Sequence, residues 1–453
     1  MDRIAEYCLK DSELTLKLGE LILPQVYELS KLTGQLLFNT SRMMYSQLVE
    51  WHLSKKAYGM KTIIPNNPKW SEIGKRMGRK AYIGGFVKEP VGGLHEKIAV
   101  MDFKSLYPSI IATFNISPET FNCSCCKGYK VPERDYWFCK KKKGFVPTVI
   151  EGLINRRDKL KRNKDRKGLN RINSQQLAVK TVSNAMYGYF GFYGSKWYCY
   201  ECAESAAAFG RFYIKKVIDE AEKEGFTVVY GDTDSLFVTS KNLEAKVEIF
   251  LKKVNKDLPG IIKLDLQGIY KRGIFIPKGV GLGTAKKRYA LIDKKGTLTV
   301  RGLEKVRRDW SNVAKNTQEK VLRLILEKKD VKGSIKYVRT VIRKLKKGEI
   351  PLKDLVIIEQ LTKPLADYKK MSPHVSAARK MKERGNQLGI GMPILFVITK
   401  GKGSISDRAE PFEDVKIEDV DINYYINNQI MPASLRVLKV LDVREDNILN
   451  KKS

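Results

Sequence analysis

The chain has 453 residues, 43% of them apolar, and its 85 Lys and Arg against 50 Asp and Glu give a formal charge of +35. An excess of that size costs self-repulsion and indicates a polyanionic partner such as nucleic acid, although ribosomal or membrane-surface binding would give the same bulk value. No apolar run approaches the roughly 18 residues of a membrane helix, and the first residues are too polar for a secretory signal, so we expect a cytoplasmic protein without a membrane span.

Residues 1–37 are predicted to be mostly helical, with a break near Pro24, because their leucines follow a 3.6-residue period. Tyr7 and Asp11 are four residues apart and therefore share one face of this helix. On their own they indicate only an exposed helix face.

Gly84 and Gly85 follow Tyr82 closely, and glycines let a loop approach another backbone closely. Alone, the glycine pair indicates no more than a turn. A buried strand is predicted over residues 98–101, and Asp102 lies at its end. Pro108 and the residue after it can start a helix after a short turn.

Residues 146–187 show a helical period in which nine Lys or Arg and two Asp occupy the middle, at residues 156–171. This pattern predicts two antiparallel helices joined by a basic turn. A solvated charged hairpin is the alternative. Against it, two sets of side chains each share one helix face: Arg157 with Lys161, and Lys180 with Asn184 and Tyr187.

Residues 226–238 predict a β-hairpin, because two runs rich in β-branched and aromatic residues flank Gly-Asp-Thr-Asp. Asp232 and Asp234 lie at its tip, where like charges repel and where a turn chosen for stability would use Asn-Gly. A surface hairpin with solvated carboxylates is the simplest interpretation. Together with Asp102 at a strand end, however, the pair predicts a site for a hard divalent cation.

Seven cysteines fall into a first group, a second group and a lone Cys8. The groups are Cys123, Cys125, Cys126 and Cys139, and then Cys199 and Cys202. Four sulfurs within 17 residues could hold zinc, although Cys-x-Cys-Cys matches paired C-x-x-C spacing poorly. Reduced, structural cysteines are the other interpretation.

Residues 284–289 are basic, and a basic strand edge that resists aggregation is the simplest interpretation of them. Helices are predicted around residues 321–325 and 331–345, the second ended by Gly348.

The chain resembles family B DNA polymerases, and the residues of its motifs are most similar to those of the archaeal replicative members. The motifs run in the family's order, from the third exonuclease motif (Tyr7, Asp11) and the Y-x-G-G element (Tyr82, Gly84, Gly85) to motifs A, B and C and the K-K-R-Y element. Motif A is Asp102-Phe-Lys-Ser-Leu-Tyr-Pro-Ser109, motif B is Gln176 to Gly188, and motif C is Tyr230 to Ser235.

The resemblance implies an enzyme that binds two Mg²⁺ ions, primer-template DNA and dNTPs. It implies metal ligands at Asp102, the Phe103 carbonyl and Asp234, with Asp232 peripheral. It implies nucleotide contacts from Ser105, Leu106, Tyr107 as a steric gate, Arg157, Lys161, Lys180 as proton donor to pyrophosphate, Asn184 and Tyr187. It implies DNA contacts from Tyr82, Gly84, Gly85, Gly188, Thr233, Lys286, Lys287, Arg288 and Tyr289.

The implied fold is α+β, with right-hand polymerase architecture. Its parts are an exonuclease-domain remnant (1–37), a palm with an antiparallel sheet (38–145 and 191–284), two-helix fingers (146–190) and a mainly helical thumb (285–453). The resemblance also implies disulfides at Cys126–Cys139 and Cys199–Cys202, because relatives from heat-loving archaea can carry disulfides at those places. Reduced cysteines remain the alternative interpretation.

Other motifs of the family are not found in this sequence: the front of the exonuclease domain and a clamp-binding peptide. We therefore expect polymerisation without 3′ to 5′ degradation. We also expect that the sequence is either a fragment or the product of a split gene whose partner chain supplies the exonuclease part. A sliding clamp is a further expected partner. Location at the nucleoid is implied. The competing hypothesis is an inactive relative that binds DNA or acts as a scaffold. An inactive relative would be expected to lose metal-binding carboxylates, whereas this sequence has all three.

Overall fold

The computed structural model describes residues 2–162, 169–276 and 287–449. Its strands are β1 (Val87–Lys88), β2 (Gly93–Phe103), β3 (Tyr129–Lys130), β4 (Trp137–Phe138), β5 (Thr227–Asp232), β6 (Ser235–Thr239), β7 (Leu264–Phe275), β8 (Tyr289–Asp293), β9 (Leu298–Arg301), β10 (Ile357–Gln360), β11 (Pro393–Ile398) and β12 (Ala409–Pro411). Its α-helices are α1 (Asp2–Thr33), α2 (Leu37–Thr40), α3 (Tyr45–Gly59), α4 (Trp70–Met77), α5 (Leu106–Thr113), α6 (Phe145–Arg162), α7 (Leu169–Gly191), α8 (Tyr200–Lys223), α9 (Leu243–Asp257), α10 (Asn312–Lys328), α11 (Val331–Lys346), α12 (Pro373–Glu383), α13 (Ile422–Tyr424), α14 (Met431–Leu438) and α15 (Glu445–Leu449).

A central antiparallel sheet has the strand order β1-β5-β6-β2-β7-β8-β9 within these ranges. The predicted strand and hairpin are confirmed: β2 lies between β6 and β7, and Asp232 pairs with Ser235 across a two-residue turn. Neighbouring residues of a strand point to opposite faces of the sheet, and both faces of this sheet are buried. Helices α8 and α9 cover one face, and Tyr230, Phe237 and Phe275 form an aromatic cluster on the other.

Two long helices, α6 and α7, pack against each other and lie between β2 and β5 in the sequence. They confirm the predicted antiparallel pair, while most of the predicted basic turn, residues 163–168, lies outside the described residues. Helix α7 also packs on α1 and α3. The apolar residues of its buried face are the reason, since Ala178, Val179 and Val182 recur at helical spacing.

Helix α1 is continuous from Asp2 to Thr33, so the expected break near Pro24 is wrong. Proline removes one backbone hydrogen bond, and the neighbouring Leu21 and Leu23 are exposed, so water can satisfy the freed carbonyl there. The apolar side chains of its first half are exposed, whereas Leu29 and Leu32 join the core.

A C-terminal module follows the central sheet, built from the β10-β11-β12 sheet and helices α10 to α15. The two predicted helices are confirmed as α10 and α11, and Gly348 just beyond α11 has a positive φ of 71°. Its core continues into β7 and β8 through Ile274 and Ile292. No helix in the described part of the chain is long and apolar enough to cross a membrane.

Candidate active site

The predicted carboxylates meet at one end of the middle strands of the central sheet. Asp102, near the end of β2, is the direct cross-strand partner of Ser235 on β6. Asp234 immediately precedes that serine in the β5–β6 turn, and its carbonyl accepts a hydrogen bond of 2.9 Å from the Phe103 amide. Strand pairing therefore brings two acidic side chains from distant parts of the sequence side by side.

The turn that carries Asp234 is held by the Y-x-G-G loop. Thr233 has a left-handed φ of 56°, its amide donates to the Phe86 carbonyl at 2.8 Å, and its hydroxyl donates to Asp232 at 3.1 Å. A Cβ at Gly85 would lie 2.8 Å from the Thr233 methyl group, whereas one at Gly84 would meet no described atom within 4 Å. Gly85 is therefore needed for packing inside the protein, and Gly84 is the glycine that faces open space.

The electrostatics of the carboxylates fit a bound cation. Burial and then the Asp234 charge raise the pKa of Asp102 to about 7, against the opposing charge of Lys180. Burial and then Asp232 raise the pKa of Asp234. Asp102 Oδ1 is buried and has no hydrogen-bond partner among the residues that the structure describes. Mg²⁺ prefers carboxylate oxygens, and it would satisfy this atom and offset the repulsion.

This pKa gives a pH dependence. A metal must displace the proton from Asp102, so the affinity for Mg²⁺ should fall by about tenfold per pH unit as the pH drops below 7. Thermal-shift titrations with Mg²⁺ at pH 6 and pH 8 measure it, with Asp102→Asn as the control whose weak binding should not change with pH. Equal affinity of the unmodified protein at both pH values would contradict the expectation.

Asp265 is a further carboxylate that sequence reasoning missed. It lies on β7 directly across from Asp102, pairs with Lys104 at 2.8 Å, and is among the charges that raise the pKa of Asp102. The only sequence signal is an acidic residue in an alternating apolar strand.

A basic cavity of about 410 Å³ opens beside the carboxylates. Ser105, in a left-handed conformation at the start of α5, accepts a hydrogen bond of 3.1 Å from Arg157. Cationic side chains line the cavity: Lys104, Arg157, Lys161, Arg162 and Lys263.

The surroundings of two of these cations suit the binding of an anion. Burial lowers the pKa of Arg157, and burial with the Arg157 charge lowers that of Lys161. Arg157 Nε is buried and has no partner within the described ranges. A polyphosphate would supply acceptors to both residues.

Tyr107 and Tyr187 form a stacked pair at the mouth of the site, with ring centroids 4.0 Å apart and planes 12° from parallel. A Cβ at Gly210 of α8 would lie 3.2 Å from the Tyr107 ring, so this glycine makes room for the ring. Lys180 and Asn184 are exposed on the same helix as Tyr187. The structure thus brings motifs A and B together. Leu106, by contrast, is buried, and only its amide is available to a ligand.

Arg211 of α8 holds the Y-x-G-G loop and was not identified from the sequence. Its side chain is buried and donates to the Ile83 and Gly84 carbonyls at 2.6 and 3.0 Å, so it positions the loop. Tyr82 packs edge-on against Tyr200, with centroids 5.5 Å apart. An arginine inside a helix carries no local signal of such a role.

The remaining predicted residues lie in different surroundings. Gly188 is exposed on α7. Lys287 is exposed and forms an ion pair of 3.0 Å with Asp232, whereas Arg288 is buried and Tyr289 stacks on Phe275. Lys286 lies outside the described residues.

Tyr7 and Asp11 are exposed on α1, and neither belongs to the carboxylate cluster. The leucine face of that helix is exposed too, since Leu14, Leu18 and Leu21 are 54%, 56% and 79% exposed.

Acidic residues at the ends of the middle strands of an antiparallel sheet, beside a basic cavity, are typical of proteins that bind metal ions and a polyphosphate. The chain belongs to DNA polymerase family B, whose family model matches residues 39–441. It is 41% identical to a DNA polymerase of Thermococcus gorgonarius over its full length and 59% of the relative. It is 42% identical to one of Pyrococcus glycovorans, over 99% of this chain and 58% of the relative.

A solved structure gives the same result. The family B DNA polymerase from the hyperthermophilic archaeon Pyrobaculum calidifontis matches with a TM-score of 0.74 and 35% identity, over 98% of this chain and 57% of that one. The chain therefore spans less than two thirds of the length of these relatives.

Proposed function

We propose that the chain carries out template-directed DNA synthesis, adding dNMP from a dNTP to a primer 3′-hydroxyl and releasing pyrophosphate. One observation carries the proposal: Asp102 on β2 lies beside Asp234 in the β5–β6 turn, next to a cavity lined by Arg157 and Lys161. Membership of family B supports it. In this arrangement β1, β2 and β5 to β7 of the central sheet belong to the palm (38–145 and 191–284), and α6 and α7 are the fingers (146–190). The last two strands of the sheet, β8 and β9, and the C-terminal module belong to the thumb (285–453). Residues 1–37 correspond to the end of an exonuclease domain.

Two Mg²⁺ ions would be held by Asp102, Asp234 and the Phe103 carbonyl, with Asp232 peripheral, and when bound they would supply charge stabilisation for the attacking and leaving oxygens. Arg157 and Lys161 hold the triphosphate through charge-assisted hydrogen bonds. The left-handed Ser105 turns the first amides of α5, its own and that of Leu106, toward the same phosphates. Lys180, on the side of the site nearest Asp102, donates a proton to the departing pyrophosphate.

The sugar and base of the nucleotide are selected by packing. Tyr107, stacked on Tyr187, lies where a 2′-hydroxyl would collide with its ring, so discrimination against ribonucleotides comes from repulsion. Asn184 shapes the pocket from the next turn of α7.

DNA contacts surround this centre. Tyr82, Gly84 and Gly85 form the template loop, and Thr233 and Gly188 complete that side. The Lys286–Tyr289 element would follow the new duplex through Lys287, which is 63% exposed and free to exchange Asp232 for a phosphate. The buried Arg288 and the stacked Tyr289 would support that contact from inside the protein. Such backbone contacts are blind to sequence, as copying requires.

Primer extension with Mg²⁺, dNTPs and a primed template tests the proposal, and we expect extension to the end of the template. DNA binding without any incorporation by the folded chain would overturn it and favour the inactive DNA-binding relative. The carboxylates Asp102, Asp232 and Asp234, all retained, support activity instead.

A further inference from the structure

Four cysteine sulfurs converge in the segment between α5 and α6. Cys123, Cys125 and Cys126 precede β3, and Cys139 follows β4. The Sγ–Sγ distances are 3.4 Å for Cys125 and Cys139, 3.5 Å for Cys123 and Cys126, 3.8 Å for Cys126 and Cys139, and 4.0 Å for Cys125 and Cys126. All four sulfurs lie within 4.8 Å of one another.

These distances match one tetrahedral zinc ion. A Zn–S bond of about 2.3 Å gives a tetrahedron whose sulfurs are about 3.8 Å apart. An iron–sulfur cluster holds its thiolates outside a larger inorganic core and so would separate them more. All four cysteines are free thiols rather than disulfide-bonded. The Cys-x-Cys-Cys spacing matches a linear ligand pattern poorly, but the β3–β4 pairing of Tyr129 with Phe138 returns Cys139 to the other three.

The surroundings suit thiolates. The Lys142 amide donates to Cys139 Sγ at 3.2 Å and the Lys140 amide approaches Cys126 Sγ at 3.5 Å, which are outer contacts that orient metal ligands. Zinc with four thiolates carries a charge of −2, and Lys127 and the run Lys140–Lys143 lie in the same segment to offset it.

A crosslink would also stabilise the segment. Strands β3 and β4 have two residues each, so their own pairing contributes little, and the hairpin depends on contacts outside it, such as the burial of Val131 and Phe138 in the core. Its strands cross so closely that a Cβ at Gly128 would lie 1.9 Å from the Phe138 carbonyl oxygen. A metal ion would add to these contacts because its binding free energy is folding free energy.

We propose that Cys123, Cys125, Cys126 and Cys139 form a structural zinc site that locks the β3–β4 hairpin. The hairpin presents Glu133, whose carboxylate pairs with Arg211 at 2.7 Å, the arginine that holds the Ile83–Gly84 backbone. At its base, Asn115 donates to the Cys139 carbonyl at 2.7 Å. The zinc site thus anchors the support of the 82–85 loop.

Metal analysis of the chain purified without chelator tests the proposal. We expect about one zinc per chain, lost in Cys139→Ser and kept in the control Cys8→Ser, whose cysteine is exposed on α1. Because Cys139→Ser can fail to fold, the unmodified protein is also stripped with a chelator and reloaded with Co²⁺. Reloading should produce the visible bands of tetrahedral thiolate coordination, and stripping should lower the melting temperature.

Thiol counting under denaturing conditions without reductant separates the other states. Zinc predicts that the four cysteines of the cluster, located by peptide mapping of the labelled sites, all react once chelator is added. Metal-free protein in which two of these four fail to react would overturn the proposal in favour of a disulfide. Metal-free protein in which all four react without chelator would overturn it in favour of free cysteines.

Discussion

Asp234→Asn is expected to abolish primer extension, lowering its rate on the order of 10³-fold or more, while duplex DNA binding stays nearly intact. A neutral amide is a poor ligand for a hard cation, and the metals supply most of the charge stabilisation in phosphoryl transfer. The turn should survive the change, because its hydrogen bond to the Phe103 amide is made by the main chain. Removing the charge also relieves the repulsion from Asp232 that raises the pKa of Asp234.

Extension rates and DNA affinity are measured on the same preparations, with Asp257→Asn as the matched control. Asp257 is exposed at the end of α9, so that variant changes the net charge of +35 by the same amount away from the site. Wild-type rates in Asp234→Asn would disprove the metal assignment. Loss of DNA binding together with activity would show instead that the turn had collapsed.

Tyr107→Ala is expected to admit ribonucleotides, raising the ratio of rNTP to dNTP incorporation efficiency on the order of 10²-fold. The ring is fixed by its stack on Tyr187 and by contact at Gly210, so a 2′-hydroxyl cannot push it aside. The substitution deletes the obstruction without removing a phosphate contact.

Tyr107→Phe is the control for this effect, because it keeps the ring and removes only the hydroxyl. Its ratio should stay near that of the unmodified protein. An unchanged ratio in the alanine variant, measured on folded protein, would refute the steric gate. A raised ratio in the phenylalanine variant would assign discrimination to the hydroxyl group.

Local patterns predicted the parts of the site that depend on neighbouring residues. Asp102 follows an apolar run, and the turn bearing Asp234 separates two strand-like segments, so both positions could be read from spacing. Asp265 and Arg211 could not, since the first acts across a strand pair and the second across a helix–loop contact. Pro24 misled because the penalty for proline depends on whether solvent reaches the freed carbonyl. The cysteine cluster required the hairpin geometry.

The order of strands in the central sheet has a consequence for how the protein folds. Strands β2 and β6 are neighbours, yet the segment 104–234 lies between them in the chain. Closing so long a loop carries an entropic cost that must be met before the pairing is rewarded, and long-range strand pairing is correspondingly slow. The α6–α7 pair, made of local contacts, can form earlier. We therefore expect the two aspartates to converge in a late folding step, after β6 has been synthesised and paired with β2.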